Sequence, residues 1–576
     1  MLRILVALTL GLLPAMAAAA SPPPVGADHA MVVSAQRIAS EVGVDIMRQG
    51  GNAVDAAVAV GYALAVVWPS AGNLGGGGFM TLRLADGRST FLDFREKAPL
   101  AATETMFQDG QGHAVPQLSL EGWLAVAVPG SVAGLDAALQ RYGTLPREAV
   151  MAPAIRLARE GYVLQWADVA ILRLATKEFS KDAATAAVFL KDGKPYEVGE
   201  RLTQPDLATT LAAIAARGPD AFYKGDIAKA VVDASRAGGG ILDPRDFEAY
   251  RVRELTPIRC TYRGFDIQSA PPPSAGGIAL CEALNILEAY DLRALGYHSA
   301  ASVRLMVEAM RRAFHDRQVL GDPDFINNPV AMLIGKARAE ELRAGIDPAR
   351  ATPSVSLGAA YTTEGQQTTH YSIADAAGNA VAVTTTLNGW FGNGRVARHT
   401  GFLLNNEMDD FGAAAGASNM FGLAASRANA IAPGKTPVSS MSPTIVTRDG
   451  KLVMVIGSPG GSRIITTVLQ AILNVVDYGM TIQAAIDAPR LHHQWLPDVV
   501  ELEPMALSPD TRHLLEAQGY QFKDKMPWSM AEGILVGGPE LPGSPVDQSP
   551  VARPPTPAGL YGANDNRGPA GAAVGF

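Results

Sequence analysis

The stretch from Ala53 to Val67 constrains the fold of this chain more than any other, because it reads as a helix carrying a single charge, Asp55. A helix that is apolar on every side has to be covered on every side. The stretch therefore predicts a layered fold with this helix in its interior. Gly50-Gly51-Asn52 marks its start and Trp68-Pro69 its end. Composition agrees with a large core: 48% of residues are apolar and 18% are charged, below the usual ~25%, which argues against global disorder. At ~150 residues per domain, 576 residues would suggest several domains, but a layered α/β unit can use this length as one.

Around that helix the pattern alternates between helix and strand. Residues 33–49 carry apolar residues at helical spacing (Ile38, Val42, Val44, Ile46, Met47). Asn73-Leu74 leads into Gly75-Gly76-Gly77-Gly78, and Phe79–Leu84 with Ser89–Phe94 reads as a hairpin about Asp86-Gly87. Helical patterns dominate from about 130 to 250. Pro271-Pro272-Pro273 marks a turn into a helix holding Cys281, and residues 336–365 read as an exposed connector. Strands follow. Thr368–Asp375 and Ala380–Leu387 flank the turn Ala376-Ala377-Gly378-Asn379. Lys451–Ile456 is a strand that runs through Gly457-Ser458-Pro459-Gly460-Gly461 into a helix from Ser462 to about Val476. The Pro- and Gly-rich tail from 537 reads as irregular surface.

The N-terminus has Arg3, an apolar run from Ile4 to Leu13, and Ala18-Ala19-Ala20 before Ser21. This is the pattern of a cleaved secretory signal over residues 1–20, and it predicts export to the periplasm or medium. No later stretch reads as a membrane span. Export permits a disulfide between the two cysteines, Cys260 and Cys281, but only geometry can decide whether they pair. Net charge is -8, from 48 basic and 56 acidic residues, with no basic tract, which excludes a nucleic-acid footprint. The chain lacks Gly-x-Ser-x-Gly and His-Glu-x-x-His. His492-His493 reads as structural, and Asp409-Asp410 alone is weak evidence for a metal.

Two segments carry chemistry. Gly457–Arg463 lacks the Lys-Ser/Thr ending of a P-loop. It is either a tight strand-to-helix turn or, with backbone N–H groups at a helix N-terminus, a cradle for a negative oxygen. Gln366-Gln367-Thr368-Thr369-His370 stands where the connector becomes strand. A cut before Thr368 would give it a free α-amine, a base near neutral pH, beside its own hydroxyl, so one residue could supply nucleophile and base. Spacing alone does not separate this from an ordinary strand threonine. Pairing Asp375 with Ala380 would set Thr369 opposite Thr386, with register as the deciding variable.

Taken together, the motifs resemble those of γ-glutamyltranspeptidases (glutathione hydrolases). The resemblance rests on Thr368-Thr369-His370-Tyr371-Ser372, Thr386-Leu387-Asn388, Leu404–Phe411, Ser439-Ser440-Met441-Ser442-Pro443 and Gly457–Arg463. Gly50–Ala57, Gly72–Phe79 and Asp93-Phe94-Arg95-Glu96 agree with it, and the likeness runs from about 30 to 535. It implies an N-terminal-nucleophile hydrolase with an αββα four-layer α/β sandwich. The precursor would cut itself between Gln367 and Thr368 into a large subunit (21–367) and a small subunit (368–576) that stay paired as a heterodimer.

The resemblance also implies roles. Thr368 is the nucleophile, Thr386 its hydrogen-bonding neighbour, and Gly460 and Gly461 the oxyanion hole. Arg95, Ser439 and Ser440 meet the donor's α-carboxylate, for which Arg offers a bidentate fork. Asp410, Glu407 and Asn388 accept from its α-ammonium. The partners are γ-glutamyl compounds such as glutathione, with water, amino acids or peptides as acceptors, and no cofactor or metal is required. One departure stands out: Phe421, in the lid-loop stretch Gly416–Leu423, replaces a tyrosine and so lacks its hydroxyl. Rival readings are a cephalosporin (glutaryl) acylase of the same fold and an unprocessed protein that binds γ-glutamyl peptides without turnover.

Overall fold

A computed structural model describes residues 21–358, 368–411, 426–537 and 559–576. The expected signal segment, Gln367, the stretch with Phe421 and the first part of the Pro-rich tail lie outside the described residues.

Two seven-stranded sheets form the centre. The first runs Ala572–Gly575, Ala30–Ser34, Thr369–Asp375, Ala380–Thr386, Gly77–Arg83, Ser89–Asp93, Arg253–Leu255. The second runs Val25–Ala27, Gly559–Asn564, Glu532–Gly537, Lys451–Gly457, Thr444–Arg448, Phe265–Ser269, Ile258–Tyr262. Neighbouring strands pair antiparallel throughout both.

Side-chain alternation sorts each strand into two apolar layers. Met31, Val33, Ala374, Ala380 and Ala382 meet Ile445, Val455, Ile534 and Leu560 between the sheets. Val32, Ile373, Val381 and Val383 turn outward to one helical layer, and Val446, Met454 and Ile456 to the other. The result is the αββα sandwich expected from the resemblance.

The helix Ala53–Val67 is buried along its whole length in the first outer layer. Its one charge closes its N-terminus. Asn52 Oδ1 accepts from the N–H groups of Val54 and Asp55, and Asp55 Oδ2 accepts from Asn52 N–H at 2.8 Å, a reciprocal cap. The same carboxylate also accepts from Thr144 N–H and hydroxyl and from Leu145 N–H. Backbone donors thus fully occupy this buried charge.

Four expectations need correction. Residues 33–34 belong to a strand, and the first helix is Arg37–Arg48. Part of the connector is helical, Lys336–Ala344. Only Ala339 of that helix is buried, so strong helix formers build it without an apolar stripe to read. The last part of the tail is two strands, Gly559–Asn564 and Ala572–Gly575, one in each sheet. Its glycines serve close packing: a Cβ on Gly562 would stand 2.4 Å from Met31 Sδ.

The fourth correction is the central register. Ala374, not Asp375, pairs with Ala380, and Thr369 faces Thr385. Asp375 N–H donates to Asn379 O, leaving a three-residue loop in which Gly378 has φ +89°. A glycine in the left-handed region closes such a loop without strain.

Cys260, on a strand, and Cys281, on the helix Gly276–Leu287, are joined in a disulfide with Cα atoms 5.9 Å apart. No helix among the described residues is long and apolar enough to cross a membrane.

The glycine run Gly75–Gly78 lies directly on the central hairpin. A Cβ on Gly76 would sit 2.0 Å from the Thr386 carbonyl oxygen, whereas one on Gly110 would meet nothing within 4 Å. Gly76→Ala should therefore destabilise the fold by ~1–3 kcal/mol, seen as a lowered urea midpoint, and Gly110→Ala should leave it unchanged.

Candidate active site

The central hairpin places the two threonines. Continuing the observed register by one residue sets Thr368 opposite Thr386. His370 and Ala374 on one strand, with Thr384 and Ala382 on the other, face the space between the sheets. By period-two alternation Thr368 and Thr386 face the same way. In the expected register Thr386 would have pointed to the opposite face. Both threonines therefore stand at the end of the inter-sheet layer, where loops from the second sheet arrive.

Those loops complete a small cleft. It is lined by Thr368, Thr386, Asn388, Arg95, Glu407, Asp410, Ser439, Ser440 and Gly461, together with Arg317, Met441 and Ile464. Every sequence-nominated residue except Gly460 lines it, and Gly460 directly precedes Gly461. Both glycines have positive φ, +131° and +57°, just ahead of the helix Arg463–Val476. A side chain on Gly460 would meet Ser529 Oγ at 2.2 Å, so the segment is a tight strand-to-helix turn that needs glycine there.

The hydrogen bonds explain why each group is held. Thr386 Oγ1 accepts from Asn388 N–H at 2.8 Å, and the Thr386 carbonyl accepts from Asn73 Nδ2 at 2.9 Å. Asn388 has φ +68° and donates from Nδ2 to the Asn406 carbonyl. Its Oδ1 is buried with no partner among the described residues. Asn405 ties the glycine run to the acidic loop, donating to Gly75 O and Ala127 O and accepting from Glu407 N–H. Ser439 Oγ accepts from Met441 N–H at 3.0 Å.

Arg95 is fully buried, and its guanidinium contacts both nominated carboxylates, Glu407 at 2.8 Å and Asp410 at 2.5 Å. It also donates to the carbonyls of Pro437 and Val438. Burial works against its charge, but Glu407, Asp410 and Glu96 together hold it above its ordinary value. The groups expected to take a carboxylate and an ammonium from a ligand thus touch one another. A zwitterionic ligand could exchange with this pairing, charge for charge.

Sequence reasoning missed two side chains here. Glu96 was read as part of a motif and given no role. It is fully buried, and burial pushes its carboxyl above the ordinary range, with Arg95 opposing. Glu407 is raised in the same direction by burial and by Glu96. We read the two as a pair that retains a proton, since three carboxyls around one guanidinium cannot all ionise cheaply. Arg317 follows the helix Ala300–Asp316, and no spacing or motif sets it apart in the sequence.

The other polar groups weighed in the sequence lie elsewhere. His492 bonds Thr466 and Gln494, His493 meets Asp498, and Asp409 accepts from Ser119, so all three are structural.

The retained proton has a measurable consequence. As pH rises above ~4.3, the unfolded chain loses a proton that the folded pair keeps, so the pair withdraws stability with rising pH. Glu96→Gln keeps the shape and abolishes that titration. Its urea midpoint should rise relative to wild type between pH 5 and pH 8; a constant offset would refute the shared proton.

Comparison with known proteins gives a consistent picture. The sequence matches the profile of the family described as gamma-glutamyltranspeptidase over residues 39–574. It is 54% identical over 561 residues to a glutathione hydrolase proenzyme from Pseudomonas sp. (strain A14), covering 97% of this chain and 96% of that protein. It is 49% identical over 518 residues to the glutathione hydrolase proenzyme of Escherichia coli (strain K12), covering 89% of each. The structure is similar to that of a cephalosporin acylase from Bacillus halodurans, with TM-score 0.82 and 26% identity over 97% of this chain and 98% of that one.

Proposed function

The chain belongs to the γ-glutamyltranspeptidase family, and from that premise we propose that it is a self-processing γ-glutamyltransferase and glutathione hydrolase with Thr368 as its nucleophile. In maturation, Thr368 Oγ1 attacks the Gln367 carbonyl carbon and the peptide nitrogen leaves. The departing nitrogen is the Thr368 α-amine, and water then hydrolyses the ester, releasing the Gln367 carboxylate and restoring the Thr368 hydroxyl beside that amine, which serves as its base. In turnover the same oxygen attacks the γ-amide carbon. The tetrahedral oxyanion is met by N–H groups at Gly460 and Gly461, where one lost donor typically costs ~3–4 kcal/mol. The amine leaves with a proton, and water or an acceptor amine resolves the γ-glutamyl ester. Thr386 Oγ1 already accepts one hydrogen bond, which leaves its own proton for Thr368 Oγ1.

One observation carries the substrate assignment. Asn388 Oδ1 is a buried acceptor without a partner among the described residues, in the cleft that holds Thr368. Buried acceptors are seldom left unmet, and an α-ammonium supplies the missing donor. A glutaryl group has no such cation. The likeness to a cephalosporin acylase, at 26% identity, supports the second reading, a glutaryl acylase, less strongly than the likeness to glutathione hydrolase proenzymes at 54% and 49% identity supports the first. The N-terminal signal pattern supports export to the periplasm or medium, with large and small subunits remaining together.

Intact masses test maturation. Wild type should yield two fragments, the smaller beginning at Thr368, and Thr368→Ala a single uncut chain without turnover. A wild type that stays whole would overturn the reading. Substrate choice is tested by comparing γ-glutamyl with glutaryl anilides: kcat/KM should favour the γ-glutamyl donor, and faster glutaryl cleavage would instead assign the acylase.

A further inference from the structure

Arg95 cannot by itself offer a two-pronged grip in the observed arrangement. A guanidinium has five N–H donors. Arg95 directs Nε to Pro437 O, one Nη1 proton to Glu407, and its Nη2 protons to Asp410 and Val438 O. One donor remains, whereas a bidentate grip on a carboxylate needs two parallel ones. Its charge is also already matched by two carboxylates at contact distance.

Arg317 is in the opposite condition. It lines the same cleft. Its Nε is buried with no hydrogen-bond partner among the described residues. Its Nη2 lies 3.5 Å from Ser440 Oγ, at the outer limit of hydrogen bonding. No carboxylate of the described residues forms an ion pair with it; Asp410 acts on it only as a more distant charge, and Arg95 repels it. Burial of the guanidinium end pulls it down to about 10, with Asp410 opposing, while the residue as a whole is half-buried and so open to a ligand. Nε and Nη2 share one edge of the guanidinium, the edge used in a side-on bidentate pair, and here it is the poorly satisfied edge, beside Ser440.

We propose that Arg317 is a substrate-binding residue that grips the donor's α-carboxylate side-on through Nε and Nη2 beside Ser440, so that selectivity for a carboxylate at this position depends on Arg317 as well as Arg95. This inference rests on the γ-glutamyl reading above. It assigns the uncompensated charge of the cleft to the ligand's anion. Arg95 then adds its one remaining donor to that grip while it keeps Glu407 and Asp410 ordered for the ammonium.

The test compares two anilide donors, γ-glutamyl and 4-aminobutyryl, which is the same acyl group without its α-carboxylate. Wild type, Arg317→Gln and Arg317→Lys are first checked for complete processing by mass. Arg317→Gln should lose about 10- to 100-fold in kcat/KM on the γ-glutamyl donor, mainly through KM. It should change less than threefold on the 4-aminobutyryl donor, and Arg317→Lys should recover part of the loss. Equal losses on both donors, or an unchanged γ-glutamyl KM, would overturn the proposal in favour of a structural role. A wild type that turns over neither donor would instead sink the activity reading. Calorimetric titration with L-glutamate and 4-aminobutyrate would then decide on Arg317: discrimination lost in Arg317→Gln supports it, and discrimination unchanged rejects it.

Discussion

The pairing of Thr369–Asp375 with Ala380–Thr386 is the contact on which the rest of the molecule depends. Both strands are buried on both faces, so their register decides at once which side chains enter the inter-sheet layer and which meet the helices. Asp375 makes that register firm. Its carboxylate accepts from Asn379 within the turn and from Ala53 N–H at the start of the central helix. A slip would break the turn, separate the hairpin from the helix and reverse the side-chain faces together. The two threonines at the other end of the hairpin inherit their common orientation from this turn, about seven residues away.

The cleft is built from charges that the fold has taken out of water. Arg95, Glu96 and Glu407 are almost fully buried, and such groups persist only when paired, hydrogen-bonded or neutralised. Arg95 satisfies two carboxylates, a retained proton quiets the Glu96–Glu407 pair, and Asn405 holds the backbone of the acidic loop against the glycine run. Among the residues lining the cleft, what remains unsatisfied is one acceptor, on Asn388, and one guanidinium edge, on Arg317. An amino-acid head group, with its ammonium and carboxylate on one carbon, is complementary to that residue of unmet charge. The same cleft thereby joins binding to the nucleophile that lines it.

Much of this was legible in advance where local chemistry dominates. The helix Ala53–Val67 was read to its ends, because an unbroken apolar run between Gly50-Gly51-Asn52 and Trp68-Pro69 admits few alternatives. The hairpins and the strand–glycine–helix unit at Lys451–Val476 were read for the same reason. Lys336–Ala344 was missed because a surface helix shows no stripe, and Gly559–Asn564 because glycine has the same appearance whether it permits a turn or a close approach. Among the site residues, those within motifs could be nominated. Arg317 could not, because its significance comes from the company it keeps in space.

The sequence by itself therefore determined the elements with a strong local pattern, their order and the residue types that can perform acyl transfer, since turn chemistry, apolar period and nucleophile character are properties of short segments. Only the tertiary structure decided the one-residue register, the joining of Cys260 to Cys281, the contact of Arg95 with Glu407 and Asp410, and the unpartnered edge of Arg317. Each of these depends on groups far apart in the chain meeting at distances of a few ångströms, and on burial that no single segment encodes.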